Sequence, residues 1–560
     1  MTYEAPLQDI LFNLAHITPG EVDLDMATTI LEQLSRFCAE EIAPLNAPGD
    51  REGSIYNSGQ VTTPKGFREA YNKFAAMGWQ GLPHPLEYGG QGLPRTVGAA
   101  AGEILNAANM SFALCPLLTD GAIEALHHFG SEQIKATYLP QLVAGVWTGT
   151  MNLTEPQAGS DLSLLRTQAE PLTDGTYKVS GTKIFITYGE HDLAENIIHL
   201  VLARTPGAPK GIKGISLFLV PKILADGERN AVLCQSIEHK LGVRASPTCV
   251  LSFEGATGFL IGQENAGLEY MFTMMNAARF AVGVQGVAIA ERATQQAMSY
   301  ARDRLQGRPI DGHATGAVTI INHPDVRRMA MHMRATTEAC RALATYTAGC
   351  QDRGDTALVE FLVPLVKGFN TEMAIQVASL GVQIHGGMGF IEETGAALYY
   401  RDARILPIYE GTTAIQANDF LGRKTLRDGG SIAGRLCAMI VETEVELQHG
   451  VPFAQEAALR LSAARQDFQA VVAHLLTCTP NDAYGSAVPY LMLAGNLVAG
   501  WQMARILLAA EASLPSGADR TFLEAKISTA RFYLNHILIE TGLQRVRAIC
   551  GAASLSGAYF

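Results

Sequence analysis

No two cysteines stand in C-x-x-C spacing: the nine present, from Cys38 to Cys550, are scattered and odd in number. That pattern fits free thiols in a reducing compartment and argues against a disulfide framework or a zinc site. Also missing are G-x-x-x-x-G-K-[ST], H-E-x-x-H and G-x-S-x-G, so P-loop, zincin and nucleophile-elbow chemistry lack their parts. The glycine cluster Gly386, Gly387 and Gly389 follows a helical run, whereas a dinucleotide fingerprint follows a strand, which disfavours a nicotinamide Rossmann site. His127, His128, His323 and His332 show no metal-ligand grouping, so no metal site is expected. The leading MTYEAPLQDILFNLAHI lacks a basic n-region and an arginine-rich presequence, and a cytoplasmic location is the expectation. Lys and Arg total 42 against 54 Asp and Glu, a formal charge of −12, with no Lys/Arg run near the C-terminus. This acidic balance disfavours nucleic acid and anionic membrane as partners. The most apolar window, Val488 to Ala510, carries Pro489, Asn496, Gln502 and Arg505 and reads as a buried helix, not a membrane span.

What is present is an ordered globular composition, 48 % hydrophobic and 17 % charged over 560 residues, long enough for several cores. After a short acidic leading segment, residues 1–35, helical punctuation dominates residues 36–149. Thr119 or Asp120 is expected to cap one helix there, GAIEALHHFG ends another at Gly130, and SEQIKATYLPQLVAG forms a third. The period then alternates across residues 150–262: TDGTYKVSG carries an Asp174-Gly175 hairpin signal, followed by KIFIT, NIIHLVLA, ISLFLV and PTCVLSF, which predicts a compact antiparallel β-domain. Helical spacing resumes over residues 263–427. Met271, Met274, Ala278, Val282, Ile289 and Ala293 place one long helix from Leu268 to about Leu305, and further helices run over 324–348, 355–381 and 414–427. Residues 431–560 are Ala- and Leu-rich and read as an appended helical bundle. The fold class is therefore α+β: an N-terminal helical domain, a central antiparallel β-domain, a C-terminal four-helix domain and an appended bundle.

The stretch RDARILPIYEGTTAIQANDF, Arg401–Phe420, holds the best candidate for a catalytic base. Glu410 sits after Leu406, Pro407, Ile408 and Tyr409, which would exclude water and raise its pKa toward neutrality. Gly411 allows close backbone approach by a ligand, and the N–H groups from Glu410 to Thr413 are candidate donors. A plainer reading stands beside this one: Thr412 or Thr413 starts the helix that carries Ile415 and Gln416.

Three stretches, MNLTEPQAGS (151–160) with Asp161, QIHGGMGF (383–390) and YEGTTAIQ (409–416), occur in that order with helical domains either side of a β-domain. Together they resemble the acyl-CoA dehydrogenase family of flavoenzymes, over roughly residues 35 to 425. The leading segment, GEHD at 189–192 and the C-terminal bundle look like its enlarged bacterial branch, which includes 3-methylmercaptopropionyl-CoA dehydrogenase-like members. The resemblance implies FAD between the β-domain and the helices, contacted by Met151, Leu153, Thr154, Ser160, Phe185 and Thr187, with Thr412 and Thr413 nearby. Arg304, Gln383, Gly386 and Gly387 match family contacts to the FAD of a neighbouring subunit, implying a homodimer or homotetramer. Glu410 becomes the base that removes the α-proton of an acyl-CoA thioester while a hydride leaves the β-carbon for FAD, and its N–H and a ribityl hydroxyl polarise the thioester oxygen. Some members place the base before the arginine of the long helix. Here Ala278 precedes Arg279, so Glu410 is left as the base, with Arg279 as a positioning residue and Ser160, Asn276 and Gly411 contacting the CoA ester.

The chain departs from the family pattern in places: Phe185 stands for a common tryptophan, Leu305-Gln306 for an aromatic, and Asn276 for a frequent aspartate. Electron-transfer flavoprotein is the acceptor the resemblance implies. Two neighbouring readings are an acyl-CoA oxidase passing electrons to O₂ and a DNA-associated flavoprotein of the same superfamily, the latter at odds with the acidic charge.

Overall fold

The computed structural model describes residues 3–312, 314–516 and 519–555. In the N-terminal part, helices Leu7–His16 and Leu24–Phe37 pack with Arg95–Ala108 and Met110–Phe129 around a shared apolar core. Asp23 caps the second of these by accepting from Met26 N at 3.0 Å, and Ser131 caps Glu132–Val143 by accepting from Ile134 N at 3.3 Å. The expected cap at Thr119 or Asp120 is overturned. Met110–Phe129 runs unbroken through both residues, with Asn109 as its cap. Thr119 is buried and Asp120 is partly buried: Thr119 Oγ1 donates to Cys115 O at 3.0 Å, while Asp120 accepts from Gln80 and pairs with His84 at 2.8 Å. A cap-like residue whose side chain bonds back to the preceding turn, as Thr119 does, or to tertiary partners, as Asp120 does, no longer marks a helix start.

Among the described residues there are nine strands: β1 (Ile55–Asn57), β2 (Gln60–Thr62), β3 (Trp147–Asn152), β4 (Gln168–Pro171), β5 (Tyr177–Thr187), β6 (Asn196–Ala203), β7 (Ser216–Pro221), β8 (Val232–Ile237) and β9 (Thr248–Ile261). β1 and β2 form a separate hairpin, and the others make a seven-stranded sheet in the order β3-β6-β7-β9-β5-β4, with β8 also on β9. β9 spans both halves, pairing β5 and β8 through its first part and β7 through its last residues. The halves close on a core that includes Val179, Ile186, Val201, Phe218, Val232 and Phe253. The Asp174-Gly175 hairpin forms as its sequence predicts: β4 pairs antiparallel with β5, and Gly175 takes φ 86°.

One pair departs from the antiparallel reading, because β3 runs parallel to β6. Between them the chain crosses to the other half of the sheet to make β4 and β5, and that long excursion lets it return in the same direction. β6, NIIHLVLA, is buried along its whole length. Its Ile198, Leu200 and Leu202 pack toward the helices while Val201 and Ala203 face the strand core, which is why it reads as a continuous apolar run.

The C-terminal domain consists of Gly267–Asp303, Pro324–Asp352, Thr356–His385 and Thr413–Leu421, with the short helix Ala396–Ala403 leading into the Glu410 loop. The long helix approaches Thr356–His385 closely: a Cβ on Gly283 would lie 2.5 Å from Val366 O, and one on Gly286 2.9 Å from Asn370 O. These glycines fix the height at which Lys367 faces the loop. The appended bundle, beginning with Ser431–Gln448, packs through the apolar helix Ala487–Ser513. That helix is long and apolar enough to cross a membrane by length and composition, but 83 % of its window is buried within the protein. A core helix meets the same test.

Candidate active site

Glu410 and Gly411 both adopt left-handed backbone, φ 54° and 88°. For a glutamate this conformation is costly, and the surroundings hold it in place. Gln416 Nε2 donates to Glu410 O at 3.2 Å and lies 3.4 Å from Gly411 O, Lys367 Nζ donates to Gly411 O at 2.6 Å, and Thr413 N donates to Pro407 O at 3.0 Å. Thr412 accepts from Ile415 N at 3.3 Å as the N-cap, and Thr413 Oγ1 donates to Glu372 at 2.6 Å. The capping role and the strained turn therefore coexist in one loop. Upstream, the Tyr409 hydroxyl donates to Gln285 Oε1, and Gln285 Nε2 donates to Asn106 Oδ1 at 2.9 Å, tying the loop to the long helix and the N-terminal domain.

Burial pushes the Glu410 carboxyl up to about 7, against the opposing pull of Arg279 and Lys367. A carboxylate titrating there can accept a proton at neutral pH and release it again. Next to it, a cavity of about 580 Å³ opens between the N-terminal helices and the C-terminal domain, with Gly98, Gly102, Leu105, Asn276, Arg279 and Gln416 in its wall. Arg279 is buried, donates to Asn276 Oδ1 at 3.4 Å and sits 3.9 Å from Asp419. Asn276 and Arg279 line the cavity, and Glu410 and Gly411 stand behind that wall, linked to it by Arg279, on which the Glu410 charge acts, and by Gln416, which reaches both of their carbonyls. Ala278 is buried beside Arg279, so the long helix offers no acid at that position.

The β-domain candidates form a second group. Met151 is buried in the last pair of residues of β3, Leu153 and Thr154 follow the strand half-buried, and Ile184 N donates to Thr154 O at 2.9 Å, placing that turn against β5 where Phe185 and Thr187 lie. Phe185 has φ 60° and is 59 % exposed, an aromatic face presented outward by strained backbone. Ser160 is exposed in the loop beyond. The third group, Arg304, Gln383, Gly386 and Gly387, lies exposed where two long helices end, and stacking of Tyr300 on His385 at 4.4 Å brings those ends to one face. The structure does not join this third group to Glu410 within a single chain.

The chain matches family models over nearly its whole length. They are the acyl-CoA dehydrogenase N-terminal domain at residues 25–146, the middle domain at 150–256, the C-terminal domain at 265–424, and an acetyl-CoA dehydrogenase C-terminal-like domain at 436–558. The chain belongs to the acyl-CoA dehydrogenase family. It is 58 % identical to a 3-methylmercaptopropionyl-CoA dehydrogenase of Ruegeria pomeroyi over 98 % of both chains. It is 34 % identical to a broad-specificity linear acyl-CoA dehydrogenase of Mycobacterium tuberculosis, over 96 % of this chain and 95 % of the other. The same architecture occurs in an acyl-CoA dehydrogenase of Bacillus anthracis, TM-score 0.78 at 22 % identity, covering 98 % of this chain and 91 % of that one.

Acyl-CoA dehydrogenases are FAD-dependent oxidoreductases, and the residues of this chain fit that cofactor. Phe185 offers an exposed aromatic face, and Arg304 an exposed cation for a diphosphate. A Cβ on Gly386 or Gly387 would meet no atom within 4 Å, which leaves room for close approach. Beneath the 151–160 loop, Lys183 Nζ bonds Glu155 Oε1 at 2.9 Å and Leu153 O at 3.0 Å. Burial alone would raise Glu155, yet Lys183, Thr167 and the Arg166 N–H hold it at about 2, so the loop rests on a fixed ion pair. Sequence reasoning missed Lys183, Glu155, Gln285 and Lys367. A signal existed for the last: Lys367 is the only cation within the apolar run FLVPLVKGF.

Proposed function

We propose that this acyl-CoA dehydrogenase oxidises an acyl-CoA thioester to its trans-2-enoyl-CoA, with Glu410 removing the α-proton. The observation that carries this reading is the Glu410 carboxyl, raised to about 7 behind the Arg279 and Gln416 wall of the cavity and held in a left-handed turn that only its neighbours make tolerable. The thioester lies beside Gly411, its carbonyl accepting from the Glu410 N–H, so that enolate-like charge is met by a dipole as it forms. Asn276, Arg279 and Ser160 contact the CoA ester, and Tyr409 with Leu406 keeps water from the base. Met151, Leu153, Thr154, Phe185 and Thr187 would hold FAD, which would supply the acceptor for the β-hydride and so balance the α-proton taken by Glu410. Thr412 caps the helix behind the base, and Thr413 anchors it to Glu372.

Arg304, Gln383, Gly386 and Gly387 reach the FAD of a second copy, which makes the active protein a homodimer or homotetramer. The relative from Ruegeria pomeroyi bears the name of 3-methylmercaptopropionyl-CoA, and a short thioether acyl chain of that kind is our proposed substrate. Electron-transfer flavoprotein is the proposed acceptor, and the cytoplasm the proposed location.

The test is anaerobic bleaching of the flavin by propionyl-, 3-methylmercaptopropionyl-, butyryl- and octanoyl-CoA, on wild type and on Glu410→Gln. The substitution keeps the yellow cofactor and abolishes fast bleaching, whereas retained turnover would move the base to another residue. Reoxidation faster in air than with electron-transfer flavoprotein would make the protein an oxidase.

A further inference from the structure

Lys367 is fully buried in the middle of the apolar helix Thr356–His385, where an ammonium is expensive and an aliphatic side chain would pack at no electrostatic cost. One of its three donors goes to the Gly411 carbonyl at 2.6 Å, across 44 residues of sequence. Gly411 is the residue after the base, and its carbonyl is fixed by the turn that sets the direction of the Glu410 side chain. We propose that Lys367 is a positioning residue for the dehydrogenation, locking the Glu410–Gly411 turn through the Gly411 carbonyl and keeping Glu410 in its carboxylate form until substrate arrives. This rests on the reading of Glu410 as the base.

The charges around the pair define what Lys367 adds. Glu410 is faced by Arg279 from the long helix and by Lys367 from Thr356–His385, with Tyr409 in its own loop. Lys367 is faced by Glu410, by Glu372 further along its helix, and by Arg279. Arg279 is itself engaged, by Asn276, by Asp419 at 3.9 Å, and under the influence of Arg423. Lys367 therefore directs its hydrogen bond at the base's own turn, while part of Arg279 is spent on helix Thr413–Leu421. Burial pulls the Lys367 ammonium down to about 7, with Glu410 opposing, so each group favours the charged form of the other.

The experiment compares Lys367→Met, Lys367→Gln and Lys367→Arg as purified flavin-bound enzyme. Two readouts are taken: the pH profile of kcat/KM, and the pH dependence of carbodiimide labelling of Glu410 followed by peptide mass spectrometry. Labelling requires the protonated carboxyl and reads the base without turnover. Removing the cation raises the Glu410 pKa, so the acid limb and the labelling midpoint move up together by about one pH unit in Met and Gln variants, with about tenfold lower kcat/KM at pH 7. The Arg variant, which keeps a charge and a donor, stays closer to wild type. If the Met variant fails to fold, the Gln and Arg pair still isolates the charge. Limb and midpoint unmoved in flavin-replete Gln enzyme would overturn the proposal and leave Lys367 a packing residue. Turnover by Glu410→Gln would instead overturn the assignment of the base, and the labelling shift would still report whether Lys367 governs that carboxyl.

Discussion

Two clusters of buried charge in this molecule behave in opposite ways. At the first, Arg341 bonds Asp9 at 2.6 Å, Glu103 at 2.6 Å and Glu291 at 2.7 Å, and Lys526 of the appended bundle bonds Asp9 and Glu338, the latter at 2.7 Å. Burial alone would raise Asp9, yet Lys526 and Arg341 hold it at about 2. At the second, Glu410 makes no ion pair within 4 Å among the described residues, and burial raises it to about 7. Both carboxylates are enclosed and both have cations nearby. What lowers Asp9 is the coulombic pull of Lys526 and Arg341 at contact distance, reinforced by their hydrogen bonds, and Glu410 has no cation that close; Glu103, beside Asp9, stays raised by burial. The first arrangement ties the leading helix, the long helix and the bundle together. The second leaves a carboxylate under-compensated and reactive, at a cost in stability.

If this contrast is correct, neutralising each cluster has a different consequence. The largest effect falls on turnover: Glu410→Gln lowers kcat by roughly 10³- to 10⁴-fold, measured by steady-state reduction of an artificial acceptor. The same substitution stabilises. A raised carboxyl binds its proton more tightly in the folded state, so stability is lost as pH rises from the unfolded value of 4.5 to about 7, and glutamine removes that loss. The apparent thermal midpoint at pH 8 rises by about one to three degrees. Arg341→Met leaves activity chemistry untouched but strands Glu103 and Glu291 and leaves Asp9 with Lys526 alone, costing about 3–5 kcal/mol in urea unfolding. A drop of under about 1 kcal/mol would mean that the cluster is compensated by relaxation and is not the clamp described.

The pH response separates the clusters further. A lowered carboxyl such as Asp9 stabilises above its unfolded value of 3.8, and that contribution fades as pH falls toward about 2. Glu410 must be ionised to act, so kcat/KM falls about tenfold per pH unit below about 7. At pH 5 the protein is then folded by circular dichroism yet roughly a hundredfold less active than at its plateau. Activity and ellipticity falling together would show that the loss at low pH is unfolding.

How much of this was legible depended on whether a feature is local. Glu410 was readable because its shielding residues, Leu406 to Tyr409, adjoin it in sequence, and the Asp174-Gly175 hairpin because a turn is a local event. Lys183 with Glu155, Lys367 with Gly411 and Arg341 with its carboxylates were not, because each partner lies tens or hundreds of residues away and ion pairing leaves no periodicity. Asp120 misled for the same reason, since Gln80 and His84 are tertiary partners, and Thr119 misled because its hydroxyl bonds back to Cys115 O instead of capping. The direction of β3 against β6 was hidden because strand composition is alike for parallel and antiparallel neighbours when both faces are buried.

The cavity wall supplies the smallest test, because it contrasts with both charged clusters in having space where they have bonds. Gly102 lies in the middle of helix Arg95–Ala108, and a Cβ there would find only Val284 Cγ1, at 4.0 Å. Its lack of a side chain is therefore not demanded by packing against protein. Gly102→Val would project two methyl groups into the cavity at little cost to the fold, since valine is at least as good a helix former as glycine. Discrimination per methylene in an apolar pocket is about 10-fold or somewhat more. The ratio of kcat/KM for octanoyl-CoA over propionyl-CoA should fall by about that factor, with propionyl-CoA turnover and the pH profile unchanged. An unchanged ratio would place the acyl chain along another wall, away from helix Arg95–Ala108, while leaving Glu410 where it is.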